Sequence, residues 1–309
     1  MLTRRLLLAA ADSPQARRAV LAAPGGRAVV ARFVAGETRA DAVVTTDSLV
    51  ARGLAVTLDH LGEDTLDEAA ATTVADEYLG LLGALERAGL AGRAEVSVKL
   101  SALGSGLGAD GPALARTHLR AVCAAADAAG TSVTVDMEDH AATEATLAAV
   151  AELRADHPTL GVVLQAYLRR TESDCRELLG SGSRVRLVKG AYAEPDDVAF
   201  RDRAEVDRCY VRCLRLLMEG QGYPMVATHD PRLIEIAGVL AVRAGRPQDS
   251  YEFQMLYGVR ADEQRRLADA GETVRVYVPY GTDWYAYFMR RLAERPANLG
   301  FFARALVGH

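Results

Sequence analysis

The sequence has few cysteines and no surplus of positive charge. Its 309 residues include 36 lysines and arginines against 41 aspartates and glutamates, a formal net charge of −5. Wrapping of nucleic acid requires a clustered basic surplus, so no nucleic-acid partner is expected. The four cysteines form no C-x-x-C pair, and neither a disulfide framework nor a zinc ribbon is predicted.

Long hydrophobic runs are also missing. The apolar run that follows Arg5 ends before Asp12, well short of the ~20 residues that span a bilayer and shorter than a usual signal-peptide core. We expect residues 1–11 to form an amphipathic helix packed against the main domain, with contact to a membrane surface or a partner as the alternative. The protein is expected to be cytoplasmic, or peripheral at the inner face of the membrane.

Ligand patterns for metals and dinucleotides are absent as well. Neither H-x-H nor H-x-x-x-H occurs among the six histidines, so no metal centre is expected. The run GSGLG that begins at Gly104 lacks the G-x-G-x-x-G spacing of a Rossmann nucleotide site, and we interpret it as a flexible loop.

What the sequence does contain is a regular alternation of short β-branched runs and helical stretches. Eight candidate strands follow one another at a mean spacing of about 31 residues, the length of one βα unit. They centre on Val56, Val98, Val133, Val163, Leu187, Val226, Phe253 and Val276. This number of units is typical of a (βα)8 barrel of the TIM type. We predict an α/β fold in which residues 1–45 form an N-terminal helical arm and residues 46–309 the barrel, with a doubly wound open sheet as the alternative.

Local patterns predict where several helices begin. Thr65 followed by Glu68 has the spacing of a capping box, and Asp230 before Pro231 has the pattern of an N-cap with proline in the first turn. The last helix is expected to run over Trp284–Glu294 and to lie over the barrel mouth.

Polar residues end the predicted strands one after another. In VSVKLSALG, Lys99 alternates with valines and so points into the barrel lumen or its mouth, and Asp136 has the same relation to the valines of VTVDMEDH. Active sites of such barrels gather at the carboxyl ends of the strands, so we expect these side chains to meet. The further candidates at strand ends are Gln165, Arg186, Lys189, Thr228, His229, Gln254 and Tyr277.

The last helix carries a second polar pattern. One stripe of this helix contains Tyr287, Arg290, Arg291 and Glu294. Adjacent arginines beside an aromatic residue favour capture of a carboxylate over a simple intrahelical ion pair. Together with the cations of the strand ends, they predict a site with excess positive charge that binds anionic ligands. A Schiff base on Lys99 or Lys189 is the alternative, although it leaves the other cations unexplained.

Segments at the strand ends and in the last helix resemble those of the proline dehydrogenase family, in its small monofunctional bacterial form. The resemblance rests, in family order, on SVKLSALG, VDMED, VLQAYLRRT, VRLVKGAY, ATHDPRLI, YEFQMLYGVR and VYVPYGTDWYAYFMRRLAERP. It covers roughly residues 30–305. It implies a (βα)8 barrel that holds non-covalent FAD at the carboxyl ends of its strands.

The resemblance also implies roles for individual residues. The proline carboxylate is expected on Lys99, Arg290 and Arg291, and the proline ring among Leu256, Tyr277 and Tyr287. The implied FAD-lining residues are Met137, Gln165, Arg186, Lys189, Gly190, Ala191, Thr228 and His229. The implied catalytic residues are Asp136, the acidic residue of the third strand, and Arg186, near flavin N5.

Glu63 follows the first strand, and we hypothesise that it pairs with Arg290 as a gate when substrate is bound. The implied reaction moves a hydride from C5 of L-proline to flavin N5 and gives 1-pyrroline-5-carboxylate, the first step of proline catabolism to glutamate. The implied partners are a quinone electron acceptor and a separate pyrroline-5-carboxylate dehydrogenase. Two alternatives stay open: a hydroxyproline dehydrogenase, against which the bulky Tyr277 argues, and a non-catalytic barrel that binds flavin or proline.

Overall fold

The computed structural model describes residues 25–180 and 182–294, together with residues 15, 18, 20 and 22. Eight parallel strands close into one barrel, in which each strand pairs with its neighbours in sequence and β1 pairs with β8. The strands are β1 (Ala55–His60), β2 (Ala94–Val98), β3 (Val133–Val135), β4 (Gly161–Gln165), β5 (Arg184–Val188), β6 (Tyr223–Ala227), β7 (Glu252–Leu256) and β8 (Val274–Tyr280). Each predicted strand centre lies in its own strand, and the closed barrel rules out the open-sheet alternative.

Helices precede, connect and follow the strands. Those before β4 are α1 (Gly26–Ala31), α2 (Arg39–Val50), α3 (Glu68–Arg87), α4 (Gly111–Ala129) and α5 (Thr143–Leu153). Those after β4 are α6 (Thr171–Glu177), α7 (Arg203–Glu219), α8 (Pro231–Arg243), α9 (Ala261–Asp269) and α10 (Trp284–Glu294). Within the described ranges, no helix combines the length and the apolarity needed to cross a membrane.

The predicted helix starts are confirmed at two places and wrong at a third. Asp230 caps α8, where its side chain accepts from the backbone N–H of Arg232, and α10 has the predicted bounds. The capping box at Thr65 does not form, because Asp67 caps α3 by accepting from the N–H of Ala70. The hydroxyl of Thr65 instead donates to a carbonyl in the loop after β2.

The main hydrophobic core lies between the outer face of the barrel and the helices. Strand valines such as Val56 and Val96 are fully buried there against leucines of α3, Leu81 and Leu82 among them. Because side chains alternate along a strand, the residues between these valines point into the lumen. The lumen of this barrel is therefore built largely from the polar residues of the strands.

A second hydrophobic cluster joins the segment before β1 to the last helix. Phe33 packs against Phe288 with ring centroids 6.3 Å apart, and Trp284 belongs to the same cluster. The N–H of Ala35 donates to the carbonyl of Pro279, at 2.9 Å. The division into an arm of residues 1–45 and a barrel of residues 46–309 stays a prediction, and the expected helix of residues 1–11 lies outside the described residues.

Candidate active site at the carboxyl end of the barrel

Lys99 points into the lumen, as the alternation in its strand predicts. Its ammonium nitrogen lies 2.9 Å from a carboxylate oxygen of Asp59, near the end of the neighbouring strand β1. Both side chains are almost completely buried. A buried charge is stable only when it is paired, so Asp59 and Lys99 require each other.

Asp136, Arg186 and Tyr277 meet in one hydrogen-bonded group. One carboxylate oxygen of Asp136 accepts from Nη1 of Arg186 at 2.6 Å, and the other accepts from the hydroxyl of Tyr277 at 2.7 Å. The Arg186 guanidinium also lies over the Tyr277 ring, 5.3 Å from its centroid. The same hydroxyl faces the carboxylate of Asp59. We call Asp59, Lys99, Asp136, Arg186 and Tyr277 the mouth cluster.

The electrostatics of the mouth cluster fix the charge of Lys99. Burial opposes that charge, but the carboxylates of Asp59 and Asp136 outweigh it and raise the pKa of Lys99 above its usual value. Burial raises the pKa of the Asp59 carboxyl against the pull of Lys99. Burial and the charge of Asp136 likewise raise the pKa of Tyr277 far above its usual value. A Schiff-base nucleophile needs a neutral amine, so the ion pair with Asp59 and the raised pKa argue against the Schiff-base alternative at Lys99.

Below the mouth cluster, a second set of charges fills the lumen near the starts of the strands. This inner layer consists of Glu95, Arg184, Glu252 and Arg275. Glu95 accepts from Arg184 at 2.7 Å, and Glu252 accepts from Arg275 at 2.7 Å. Burial alone would raise the pKa of Glu95, but Arg275 and Arg184 hold it well below its ordinary value. Each charge of the inner layer therefore has a partner of opposite sign within the layer.

Gln254 connects the inner layer to the mouth cluster. Its amide nitrogen donates to Glu252 at 2.5 Å, and its amide oxygen accepts from Nε of Arg186 at 2.5 Å. Ser97 supports the same arginine by accepting from Nη1 at 2.9 Å. These contacts fix the plane of the Arg186 guanidinium on two sides.

Asp59 and the inner layer were missed by the sequence predictions. Asp59 alternates with Val56 and Leu58 just as Lys99 alternates with its valines, and this signal was available. The inner-layer residues stand near the amino-terminal ends of their strands, where a charged residue normally faces solvent. Only the closure of the barrel shows that Glu95 and Arg184 meet.

The residues expected to line FAD surround the mouth cluster on β3 to β5. Met137 and Gln165 are buried, and the Gln165 amide donates to the carbonyl of Glu138 at 2.8 Å. Lys189 follows β5 and lies 2.6 Å from Asp207 and 3.4 Å from Asp230. Gly190 and Ala191 continue the chain from Lys189.

The residues expected after β6 and β7 lie next to each other. Nε2 of His229 accepts from the backbone N–H of Leu256 at 2.9 Å, which ties the ends of the two strands together. The hydroxyl of Thr228 accepts from the N–H of Asp230 at 3.1 Å, at the start of α8. The predicted neighbours Thr228, His229 and Leu256 are thus brought together.

Helix α10 supplies the remaining predicted residues. Tyr287 is buried, and the guanidinium of Arg291 lies over its ring, 5.0 Å from the centroid. Arg290 contacts Glu63 of the loop after β1, with Nη2 and Oε1 3.4 Å apart. The pair expected to form the gate is therefore in contact, at a place where both side chains are about one-third exposed.

The expected excess of positive charge is smaller than the sequence indicates. Among the predicted cations, Lys99, Arg186, Lys189 and Arg290 each have a carboxylate oxygen within 3.4 Å. The difference arises from acidic residues that sequence reasoning left out, Asp59 and Asp207 in particular. An anionic ligand at this mouth must therefore exchange with these carboxylates.

Comparisons with known proteins agree with this fold. The sequence profile of the family described as proline dehydrogenase matches residues 42–304. Proline dehydrogenase 1 of Bacillus subtilis is 41% identical over 283 residues, which cover 92% of each chain. Proline dehydrogenase of Deinococcus radiodurans is 40% identical over 310 residues, covering 99% of this chain and 98% of its own.

Longer proteins and a solved structure share the same barrel. Bifunctional protein PutA of Escherichia coli is 28% identical over 88% of this chain, which spans 24% of that protein. The crystal structure of proline utilization A from Bdellovibrio bacteriovorus, inactivated by N-propargylglycine, superimposes with a TM-score of 0.81 at 27% identity. That alignment covers 87% of this chain and 33% of the other. Given the extent of these matches, this chain belongs to the proline dehydrogenase family.

Proposed function

We propose that this chain oxidises L-proline to 1-pyrroline-5-carboxylate, the first step of proline catabolism, with FAD held at the barrel mouth. The observation that carries the proposal is the mouth cluster. It places an ionised lysine, an arginine and a tyrosine around two carboxylates at the end of the barrel where such folds carry active sites. Membership of the family supports the same reaction.

The residues around the mouth fit a flavin dinucleotide. Lys189 is 36% exposed and can offer its ammonium to a pyrophosphate, although it must then exchange contacts with Asp207 and Asp230. Gly190 has φ of 110° and keeps the backbone free of a side chain where the Tyr167 ring packs against it. The buried amide of Gln165 and the hydroxyl of Thr228 provide neutral polar groups for a flavin ring. Met137, Ala191 and His229 complete the FAD-lining set.

Three cations are proposed to hold the proline carboxylate. Lys99 approaches it from the lumen, whereas Arg290 and Arg291 approach it from α10. A carboxylate accepts two parallel hydrogen bonds from a guanidinium, so the arginines fix its orientation as well as its place. To bind the proline carboxylate, Arg290 must give up at least part of its contact with Glu63. The substrate therefore competes with Glu63 for Arg290, and the pair acts as a gate. Leu256, Tyr277 and Tyr287 are proposed to enclose the ring.

When bound, the flavin supplies a hydride acceptor at N5 for the hydrogen on C5 of proline. Contacts to the proline carboxylate hold the donor carbon in a fixed orientation. This orientation makes hydride transfer much faster than random encounters would. Arg186 is proposed to face this reaction centre, where a fixed guanidinium stabilises the negative charge that arrives with the hydride. Asp136 holds both Arg186 and Tyr277 in place. The proline amine must be neutral to expel hydride, and solvent is the proposed acceptor of its proton.

Two partners complete the proposed pathway. A quinone is proposed to accept the electrons, at the inner face of the membrane. A separate pyrroline-5-carboxylate dehydrogenase is proposed to consume the product. If the purified holoenzyme does not reduce a soluble quinone analogue when L-proline is added, the proposed electron acceptor is wrong.

Anaerobic reduction of bound flavin tests the main proposal. Protein reconstituted with FAD should lose its visible absorbance on addition of L-proline and should lose it much more slowly with trans-4-hydroxy-L-proline, because Tyr277 leaves little space for a ring substituent. D-proline is the matched control for the carboxylate geometry. Binding of L-proline without bleaching would favour a non-catalytic barrel, and equal rates with both L-substrates would favour a hydroxyproline dehydrogenase.

A further inference from the structure

Three loops at the carboxyl end of the barrel meet at one buried carboxylate that no step above uses. Glu194, in the loop after β5, is 4% exposed. Its Oε1 accepts from the hydroxyl of Tyr167, after β4, at 3.0 Å and from the N–H of His140, after β3, at 2.9 Å. Its Oε2 lies 2.5 Å from Nδ1 of His140. Burial of an unpaired carboxylate costs free energy. Glu194 therefore has to keep its three hydrogen-bonding contacts, and these hold the two loops that supply them in place.

Tyr167 holds both ends of the loop that contains Glu194. The backbone N–H of Tyr167 donates to the carbonyl of Lys189, and the N–H of Phe200 donates to the carbonyl of Tyr167, both at 2.8 Å. The hydroxyl of the same tyrosine contacts Glu194 in the middle of the loop. The loop of residues 189–200 is therefore closed around a single residue, which contributes both its backbone and its side chain.

Two loop residues depend directly on the position of the Tyr167 ring. A Cβ on Gly190 would lie 2.2 Å from Cδ1 of this ring, so only glycine permits the observed contact. Burial raises the pKa of Tyr167, and the backbone N–H of Tyr192 near its hydroxyl opposes that rise. Burial, and after it the charges of Glu63 and Glu138, raise the pKa of Tyr192, which fits a phenol near the barrel mouth.

We propose that Glu194, Tyr167 and His140 form a clamp that positions residues 189–192 over the cofactor and substrate sites. The ligand side of this inference rests on the proposed function, because Lys189, Gly190 and Ala191 belong to the proposed FAD-binding set. The clamp residues are positioning residues. They act through the loop, and their removal loosens the loop while the barrel stays folded.

Substitutions can remove the clamp in steps. Tyr167→Phe removes one hydroxyl and keeps the ring against Gly190. Glu194→Ala removes all contacts of the carboxylate, whereas Glu194→Gln keeps an oxygen that can accept from Tyr167 and from the His140 N–H. Glu152→Ala is the matched control, because Glu152 is a half-exposed carboxylate on α5 that pairs with surface arginines.

Hydrogen exchange of the ligand-free protein is the first measurement. We expect amides of residues 189–200 to exchange about tenfold faster in Glu194→Ala and Tyr167→Phe, while the strand amides and the Glu152→Ala protein stay unchanged. Glu194→Gln should fall between Glu194→Ala and the unmodified protein. In the holoenzyme, the dissociation constant of FAD and the KM for proline should each rise about tenfold in Glu194→Ala, with kcat within about twofold.

Two outcomes overturn the clamp. Unchanged exchange of residues 189–200 in both Glu194→Ala and Tyr167→Phe would contradict it, and so would faster exchange across all strands, which marks a general stabilising role. The exchange experiment contains neither FAD nor proline, so it decides on the clamp even if L-proline fails to bleach the flavin. Failure of bleaching alone contradicts the proposed function and leaves the exchange result valid.

Discussion

The inner layer and the mouth cluster are both built from buried charges, yet they differ in how those charges are paired. In the inner layer, Glu95 and Glu252 each accept from an arginine at 2.7 Å, and Arg275 lies within 3.8 Å of Glu95 as well. In the mouth cluster, Lys99 relies on Asp59, and further out the Arg290–Glu63 contact is partly exposed. The deep carboxylates thus have several fixed partners, whereas the outermost pair, Arg290 and Glu63, is partly exposed and can exchange with water or a ligand.

This difference separates stability from binding along one axis of the barrel. A charge with several buried partners resists exchange, because removal of one partner leaves the others uncompensated in a medium of low polarity. A charge with one partly exposed partner loses little when an anion takes its place. We therefore expect substitutions deep in the lumen to reduce stability, and substitutions at the mouth to alter ligand affinity.

Glu95→Ala should have the largest effect on stability. It leaves Arg184, Arg186 and Arg275 close together without their shared carboxylate, and loss of one partner of a buried ion pair costs about 3–5 kcal/mol. Urea unfolding measures the loss. Glu152→Ala is the control and should cost less than about 1 kcal/mol. An equally small loss of unfolding free energy in Glu95→Ala and Glu152→Ala would contradict the distinction between the inner layer and the mouth cluster.

The pH dependence of stability sharpens the same comparison. The arginines lower the pKa of Glu95 in the folded state, so the unfolded chain binds a proton at a higher pH than the folded chain does. This contribution to stability is complete above about pH 5 and is lost as pH falls further. The free energy of unfolding should therefore fall less steeply between about pH 6 and pH 3 in Glu95→Gln than in the unmodified protein.

Gly190→Ala should have the next largest effect. The new Cβ would meet the Tyr167 ring at 2.2 Å, and φ of 110° is unfavourable for any side chain. A left-handed backbone conformation alone costs about 1–2 kcal/mol, and the tyrosine must also move. We expect FAD affinity to fall more than tenfold, measured by quenching of flavin fluorescence. Gly106→Ala is the control, because nothing lies within 4 Å of its added Cβ.

Arg291→Lys should weaken proline binding and leave the fold intact. A single ammonium cannot replace the planar fork of a guanidinium, so the KM for proline should rise at least tenfold, about 1.4 kcal/mol, while FAD stays bound. Steady-state kinetics and the visible spectrum of the holoenzyme provide both readings. An unchanged KM would exclude Arg291 from the carboxylate site.

Glu63→Ala should have the smallest effect on stability and a moderate effect on kinetics. The Glu63–Arg290 pair is partly exposed, so its loss should cost less than about 1 kcal/mol. Glu63 then no longer competes with the substrate for Arg290, and we expect turnover and the KM for proline to change by a few-fold. If turnover and the KM for proline both stay unchanged in Glu63→Ala, the contact is not a gate.

The sequence predicted the barrel and much of its mouth for a simple reason. Alternation along each strand determines which side chains enter the lumen, and the βα order places the carboxyl ends at one face. Lys99, Asp136, Arg186 and Tyr277 were predicted on this basis and do meet. Alternation does not show which residues face each other across the lumen, so the contact of Glu95 with Arg184, 89 residues apart, could not be predicted.

Local competition explains a smaller error. Thr65 and Glu68 have the right spacing for a capping box, but the Thr65 hydroxyl finds an acceptor in the loop after β2. Asp67 then stands next to the helix and caps it instead. A cap is chosen by the whole surroundings of a helix end, and these include loops distant in sequence.

Closure of the barrel between β1 and β8 also has a consequence for synthesis of the protein. Val56 pairs with Val276, so the sheet keeps two open edges until β8 has left the ribosome. Arg275 arrives with that last strand, and until then Glu95 and Glu252 lack one of their partners. Contacts between such distant segments form slowly. A nascent chain that stops before β8 is therefore expected to need a chaperone, and the final strand both closes the sheet and neutralises its interior.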